Sequence, residues 1–170
     1  MDVYRAIQLK RAVRHFQDKL IPEEAIMTIL NAGRRAQSAK NIQPWHFIAI
    51  RDKNTLAGLS KLGTYAGHLA GAALAIAIIT PDPATRFSVM FDAGQAAAYM
   101  QLAAYDLGIG SCPATIYEPD KARELLGFPM DLHINVCISF GYPFAEADMT
   151  RPPKKGGRQP LDQVVHWEKW

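Results

Sequence analysis

Cysteine is scarce in this chain. Cys112 and Cys137 are the only two among 170 residues, they form no CxxC pair, and both sit among apolar neighbours. Buried, inert thiols in a reducing cytoplasm are therefore expected, not a disulfide framework. The five histidines show no HxxxH or HxH spacing, so nothing in the sequence asks for a metal. The serine and glycine signatures of common enzymes are missing as well. Ser111 lies in GIGSCP and not in GxSxG, and no Walker A loop is present. Gly108-Ile109-Gly110 follows a helical stretch where a Rossmann GxGxxG would follow a strand. No carboxylates are paired for acid–base work. The longest apolar run, Leu69–Thr80, is about half the ~20 residues a membrane-spanning helix needs. The N-terminus carries Asp2, Arg5, Lys10 and Arg11 where an export signal needs an apolar core. Nor is there an excess of one charge: 19 Lys and Arg against 16 Asp and Glu leave a net +3, too little to argue for nucleic acid.

What is present is an ordinary globular composition, 49% hydrophobic and 21% charged, in a length that suits one domain over residues 1–170. Asp2 caps a short helix from Val3 to about Lys10. Pro22 with Glu23 and Glu24 starts a second helix that ends near Ala36. Phe47–Ile50 reads as a buried strand and Asp52–Leu62 as a modest helix. Gly63–Gly71 reads as a loop or broken helix, and Leu74–Ile79 as a central strand. The longest helix is predicted over Ala84–Leu107 with Gly108 as its terminator. It is apolar almost all round, which implies burial on more than one side and, in so small a protein, by a second subunit. Gly108–Ser111 then reads as a loop, Pro119 to Gly127 as a helix and Ile134–Phe140 as a strand. From Ala145 to Trp170 the chain becomes an extended arm. Its β-prone Val164-Val165-His166-Trp167 is expected to add a strand to this sheet or a partner's.

Three polar clusters interrupt this apolar background. Lys10-Arg11-Ala12-Val13-Arg14-His15-Phe16 and Lys154–Arg158 are cationic. Ser38-Ala39-Lys40-Asn41-Ile42-Gln43-Pro44-Trp45 is rich in amides, and Pro44 keeps Gln43 out of the right-handed helical region. Guanidinium and ammonium groups suit a phosphate, and amides suit the polar edges of a flat heterocycle. Together they point to a nucleotide-like cofactor.

The same residues resemble the FMN-dependent nitroreductases. The landmarks are the Lys10–Phe16 segment, the Ser38–Trp45 stretch, the long helix running into Leu107-Gly108-Ile109-Gly110-Ser111, and Gly141-Tyr142-Pro143 with the tail through Trp167. The resemblance implies an α+β fold, a central mixed or antiparallel sheet flanked by helices, with the C-terminal strand arm exchanged in a homodimer. It implies FMN at the subunit interface and NADH or NADPH as reductant. The activity it implies is ping-pong hydride transfer through flavin N5 to nitroaromatic, quinone or similar acceptors. Alternatives on the same fold are a flavin-binding or delivery protein without turnover, and a flavin-consuming or dehalogenating enzyme. By resemblance, Lys10, Arg11, Ala12 and Arg14 with Lys155 and Arg158 hold the phosphate, ribityl chain and pyrimidine edge, Arg14 lying near N1. Ser38, Asn41 and Gln43 contact the flavin from the partner subunit, and Pro113, Ala114 and Thr115 lie beside the ring. The usual Arg-Arg-Ser start is here Lys10-Arg11-Ala12, which removes one hydroxyl donor and one bidentate guanidinium. Lys154 is an alternative to Lys155.

Overall fold

Two long apolar strands divide the protein into layers. In the computed structural model, which describes residues 2–152 and 156–170, β2 (Leu74–Pro81) and β4 (Leu132–Gly141) pair antiparallel at the centre of a four-stranded sheet. β1 (His46–Ile50) borders β2 and β3 (Gly110–Thr115) borders β4, so the order is β1-β2-β4-β3 with every pairing antiparallel. Side chains alternate along β2, sending Leu74, Ile76 and Ile78 to one face and Ala75, Ala77 and Ile79 to the other. Both faces are covered, which is why β2 reads as a continuous apolar run, whereas β4 interrupts its apolar residues with His133, Asn135 and Ser139. α2 (Glu23–Arg34) and α4 (Ser88–Asp106) cover the first face. α3 (Lys53–Leu59) and α5 (Pro119–Leu126) cover the second. α1 (Val3–Leu9) packs with Val13, Tyr105 and Met149 in a small satellite cluster.

Local chemistry sets the element ends. The Asp2 carboxylate accepts from the Arg5 amide at 2.9 Å, and that of Asp52 from the Thr55 amide at 2.7 Å. Gly108, at φ +71°, ends α4 in the left-handed conformation that only glycine adopts freely.

Three expectations are corrected. Gly108–Ser111 is not a loop throughout: from Gly110 the chain forms β3. Local propensity misses this strand because it carries Pro113, which is tolerated at a sheet edge where one side of the strand has no ladder to complete. The long helix starts at Ser88 and not at Ala84, because Pro83–Thr85 form a separate 3-10 turn capped by the Asp82 carboxylate. The predicted strand Val164–Trp167 does not join this chain's own sheet: Val164 closes the short helix α6 (Leu161–Val164), and no strand follows it among the described residues. Pro160 presets the first turn of this helix, whereas a strand needs a neighbour for its amides, and the described residues of this chain offer none there.

The basic segment docks across the exposed ends of β3 and β4. The Val13 amide donates to the Ser111 carbonyl at 3.0 Å, the Gln17 amide to Tyr142 at 2.9 Å and the Phe144 amide to His15 at 3.0 Å. Glycine makes the approach possible. A Cβ on Gly110 would stand 2.7 Å from Val13, and one on Gly141 would stand 2.7 Å from the Phe16 ring. Val13 is fully buried and cannot retreat. Gly110→Ala is therefore expected to destabilise the protein by about 1–3 kcal/mol. Gly71→Ala, where a Cβ meets open space, should stay within about 0.5 kcal/mol of wild type. Thermal denaturation of the two variants checks the contrast.

Candidate functional site

Residues of the basic segment alternate between anchoring and presenting. Val13 and Phe16 turn inward, and Arg14 and His15 are left exposed. Arg11 is largely spent on the backbone. Its Nη1 donates to the carbonyls of Gln8, Leu9 and Lys10 at 2.8, 2.9 and 3.0 Å, and its Nε donates to Arg151 at 3.2 Å. It thereby caps the C-terminus of α1, and Nη2 alone has no partner among the described residues. Lys10 sits beside Cys112: burial lowers the pKa of its ammonium, the neighbouring sulfur raises it, and Arg11 lowers it further. Arg11, Ala12, Arg14 and Arg151 line a groove of about 370 Å³. Arg14 also opens onto a second cavity of about 760 Å³ with Tyr65, Gly67 and His68. Ala12 stands exposed where a hydroxyl would add a donor.

The amide-rich stretch is a strained turn. Ala39–Asn41 form one 3-10 turn, and Lys40, Asn41 and Gln43 adopt φ of +54°, +55° and +52°. The left-handed region costs a non-glycine residue roughly 1–2 kcal/mol, so something must impose it. Ser38 Oγ accepts from the Gln43 amide at 2.9 Å, and the Trp45 amide donates to the Gln43 carbonyl at 2.8 Å. Trp45 is buried and stacks on Phe47. The expected displacement of Gln43 from the right-handed region before Pro44 is seen, in left-handed rather than extended form. Gln43 faces a groove of about 730 Å³ bounded by Asn31, Arg34 and Trp45.

One residue of this site escaped sequence reasoning. Asp92, on α4, is buried, and its two carboxylate oxygens accept from the Ala39 amide at 3.3 and 3.2 Å. An acid in the apolar interior of a helix whose one other charge, Asp106, stands at its end was the available signal.

Pro113 and Thr115 are exposed on β3, Ala114 is buried behind them, and all three stand on the strand that Ala12 and Val13 meet. Arg158 is exposed on the arm; Lys154 and Lys155 lie outside the described residues. Burial pushes the Cys112 thiol up despite Arg14 and Lys10, and pushes Cys137 up to about 12. Neither sulfur is a nucleophile in this environment.

Within one chain the two halves of the predicted site do not meet. The basic segment adjoins β3 and the amide turn leads into β1, and these are the two outer strands of the sheet. Three strand spacings, about 14 Å, separate them across the sheet, and they also lie toward opposite ends of the strands: His46 pairs with Ile79 of β2, whereas Ser111 pairs with Phe140, the partner of Leu74. The turn also borders a bare apolar stripe of α4 formed by Phe87, Met90, Phe91, Gly94 and Ala98, with Phe87 99% and Phe91 72% exposed. Asp92→Ala should release the Ala39 amide and let the strained turn relax. Hydrogen exchange at Ala39 and Asn41 is expected to accelerate at least tenfold, with β2 and β4 unchanged; equal protection in the variant would show that Asp92 does not hold the turn.

The sequence matches the Nitroreductase family over residues 7–66 and 59–142. A candidate NADH dehydrogenase/NAD(P)H nitroreductase of Archaeoglobus fulgidus is 33% identical, over 98% of this chain and 97% of its own. The NADH dehydrogenase of Thermus thermophilus is 24% identical, over 98% of this chain and 96% of its own. The solved FMN-dependent nitroreductase of Clostridium difficile R20291 has a TM-score of 0.80 at 29% identity, covering 97% of this chain and 98% of that one. The chain belongs to the Nitroreductase family.

Proposed function

We propose that this protein is an FMN-dependent NAD(P)H oxidoreductase that works as a homodimer, with each cofactor site built from both chains. The observation that carries the reading is the separation of the cationic and amide clusters on opposite edges of one sheet. A second copy related by a two-fold axis would bring the amide turn of one chain to the basic segment of the other. Three features favour that assembly. None of the described residues covers the apolar stripe of α4, and Gly94 and Ala98 leave room for a second helix. The outer edge of β1 has no strand beside it among the described residues. The arm carries Leu161, Trp167 and Trp170 into solvent, Trp170 fully exposed. Residues 1–170 then form one domain; the 145–170 arm is anchored in its own chain by Met149, and its exposed end from Gly156 onward is the part exchanged with the partner.

The residues present fit FMN: cations stand at one sheet edge for a phosphate and amides at the other for a ring. FMN, when bound, supplies the exchange of a hydride between NAD(P)H and an acceptor. Arg11 Nη2 and Lys10, with Lys155 and Arg158 of the arm, hold the phosphate and ribityl chain. Arg14 places its charge at the pyrimidine edge, where it favours an electron-rich ring. Ser38, Asn41 and Gln43 contact the ring from the partner, and Pro113, Ala114 and Thr115 line its other side. With Ala12 in place of a hydroxyl and Lys10 in place of a guanidinium, flavin is held by fewer donors, each charge-assisted bond being worth about 1.5–3 kcal/mol. Reductant and acceptor would occupy one open face in turn, which suits nitroaromatics and quinones. Two free, separated thiols suit a reducing cytoplasm. Among the described residues no helix is long and apolar enough to cross a membrane.

The test is NAD(P)H oxidation by flavin-loaded protein with a quinone and a nitroaromatic. Turnover is expected with at least one; absence of turnover despite bound flavin would leave a flavin-holding protein. Arg14→Ala and the double variant Asn41→Ala/Gln43→Ala should each lose flavin. Co-expressed, they should regain it in the mixed dimer, which holds one intact site. Failure to regain it would mean that the two clusters serve different sites.

A further inference from the structure

His68 is a half-buried titratable group that the proposed function leaves unused. It stands in the 3-10 turn Gly67–Leu69, over β4, with Nδ1 2.8 Å from Ser139 Oγ. Ser139 is fully buried, and its hydroxyl donates to the Cys112 carbonyl at 3.2 Å. A serine hydroxyl has one proton. With that proton given to Cys112, its oxygen accepts from His68, so the neutral imidazole carries its hydrogen on Nδ1 and a lone pair on Nε2. That Nε2 is shut off from solvent and has no hydrogen-bond partner among the described residues.

The complementary group is adjacent. Arg14 lines the same cavity as His68, acts on the ring electrostatically, and has no hydrogen-bond partner of its own among the described residues. An arginine only donates and this Nε2 only accepts. Burial first and the Arg14 charge second hold the His68 pKa below 6.5, so the lone pair is available at neutral pH. The other ionisable groups around this corner are Lys10, His15, Cys112 and Tyr65.

We propose that His68 is a positioning residue for Arg14: its Nε2 accepts one guanidinium N–H and aims the remaining donors at the pyrimidine edge of the cofactor. The Cys112 carbonyl, Ser139 and His68 then form a chain running from β3, beside the ring, to the cation at its edge. This deepens the FMN reading and rests on it, but the pairing itself is readable without flavin.

In flavin-free protein, 15N NMR of His68 should show hydrogen on Nδ1, and Arg14→Ala should raise the His68 pKa toward its ordinary value. A proton on Nε2, or a pKa unmoved by Arg14→Ala, overturns the proposal. With FMN, His68→Phe is expected to weaken binding about tenfold, the equivalent of roughly one hydrogen bond, and to shift the flavin midpoint potential negative. His68→Gln, which restores an acceptor oxygen, should recover part of both. In an Arg14→Ala background, supplied with FMN at concentrations high enough to load the weakened site, His68→Phe should change neither. Equal effects in both backgrounds, with melting temperatures monitored alongside, would show a role in packing alone and contradict the proposal. If wild type retains no FMN, the cofactor reading fails while the NMR experiment still decides the pairing.

Discussion

Gly110 and Gly141 stand where Val13 and Phe16 press against the ends of β3 and β4, and the candidate site depends on that contact. A basic segment has no reason of its own to lie down. Its cations repel one another, and an exposed cation gains little from fixed geometry. Burying Val13 and Phe16 supplies the adhesion, and the bond from the Val13 amide to Ser111 sets the register. With the apolar residues fixed, Arg14 and His15 can only point outward. Arg11, by capping the carbonyls of α1, locks the start of the segment. The three steps, from a glycine gap to a buried valine to a presented arginine, are steric before they are electrostatic.

At the other edge the problem is reversed. The amide turn holds three left-handed non-glycine residues in a row of four, a conformation it would not keep alone. Its supports come from outside the turn: Trp45 buried under α2, and the Asp92 carboxylate from α4. Asp92 directly follows Met90 and Phe91 of the exposed stripe, so the helix that would meet a partner also fixes the turn that would serve the partner's cofactor. Assembly and site geometry are coupled through one helix.

The sequence made much of this legible. β2 and α4 were readable from their long apolar runs, α2 from the Pro22-Glu23-Glu24 start, and the cap at Asp2 from its chemistry. Both polar clusters were readable because charge and amides stand out against that background. β3 was not, since its strand state comes from pairing with β4, distant in sequence, and Pro113 argues locally against it. Val164–Trp167 has strand composition but no partner strand in its own chain, and Pro160 favours a helical turn. The role of Asp92 and the His68–Ser139 bond were hidden for a different reason: each is a single side chain whose meaning lies in a contact across the fold.

The same geometry separates cations and amides in one chain and leaves an apolar helix face, a sheet edge and an aromatic-tipped arm uncovered. A flavin site shared between two copies accounts for all of these together. Native mass spectrometry of the flavin-loaded protein tests that most directly. The account predicts a particle of two chains with two FMN, and loss of flavin whenever the dimer dissociates. A monomer that retains FMN would contradict it.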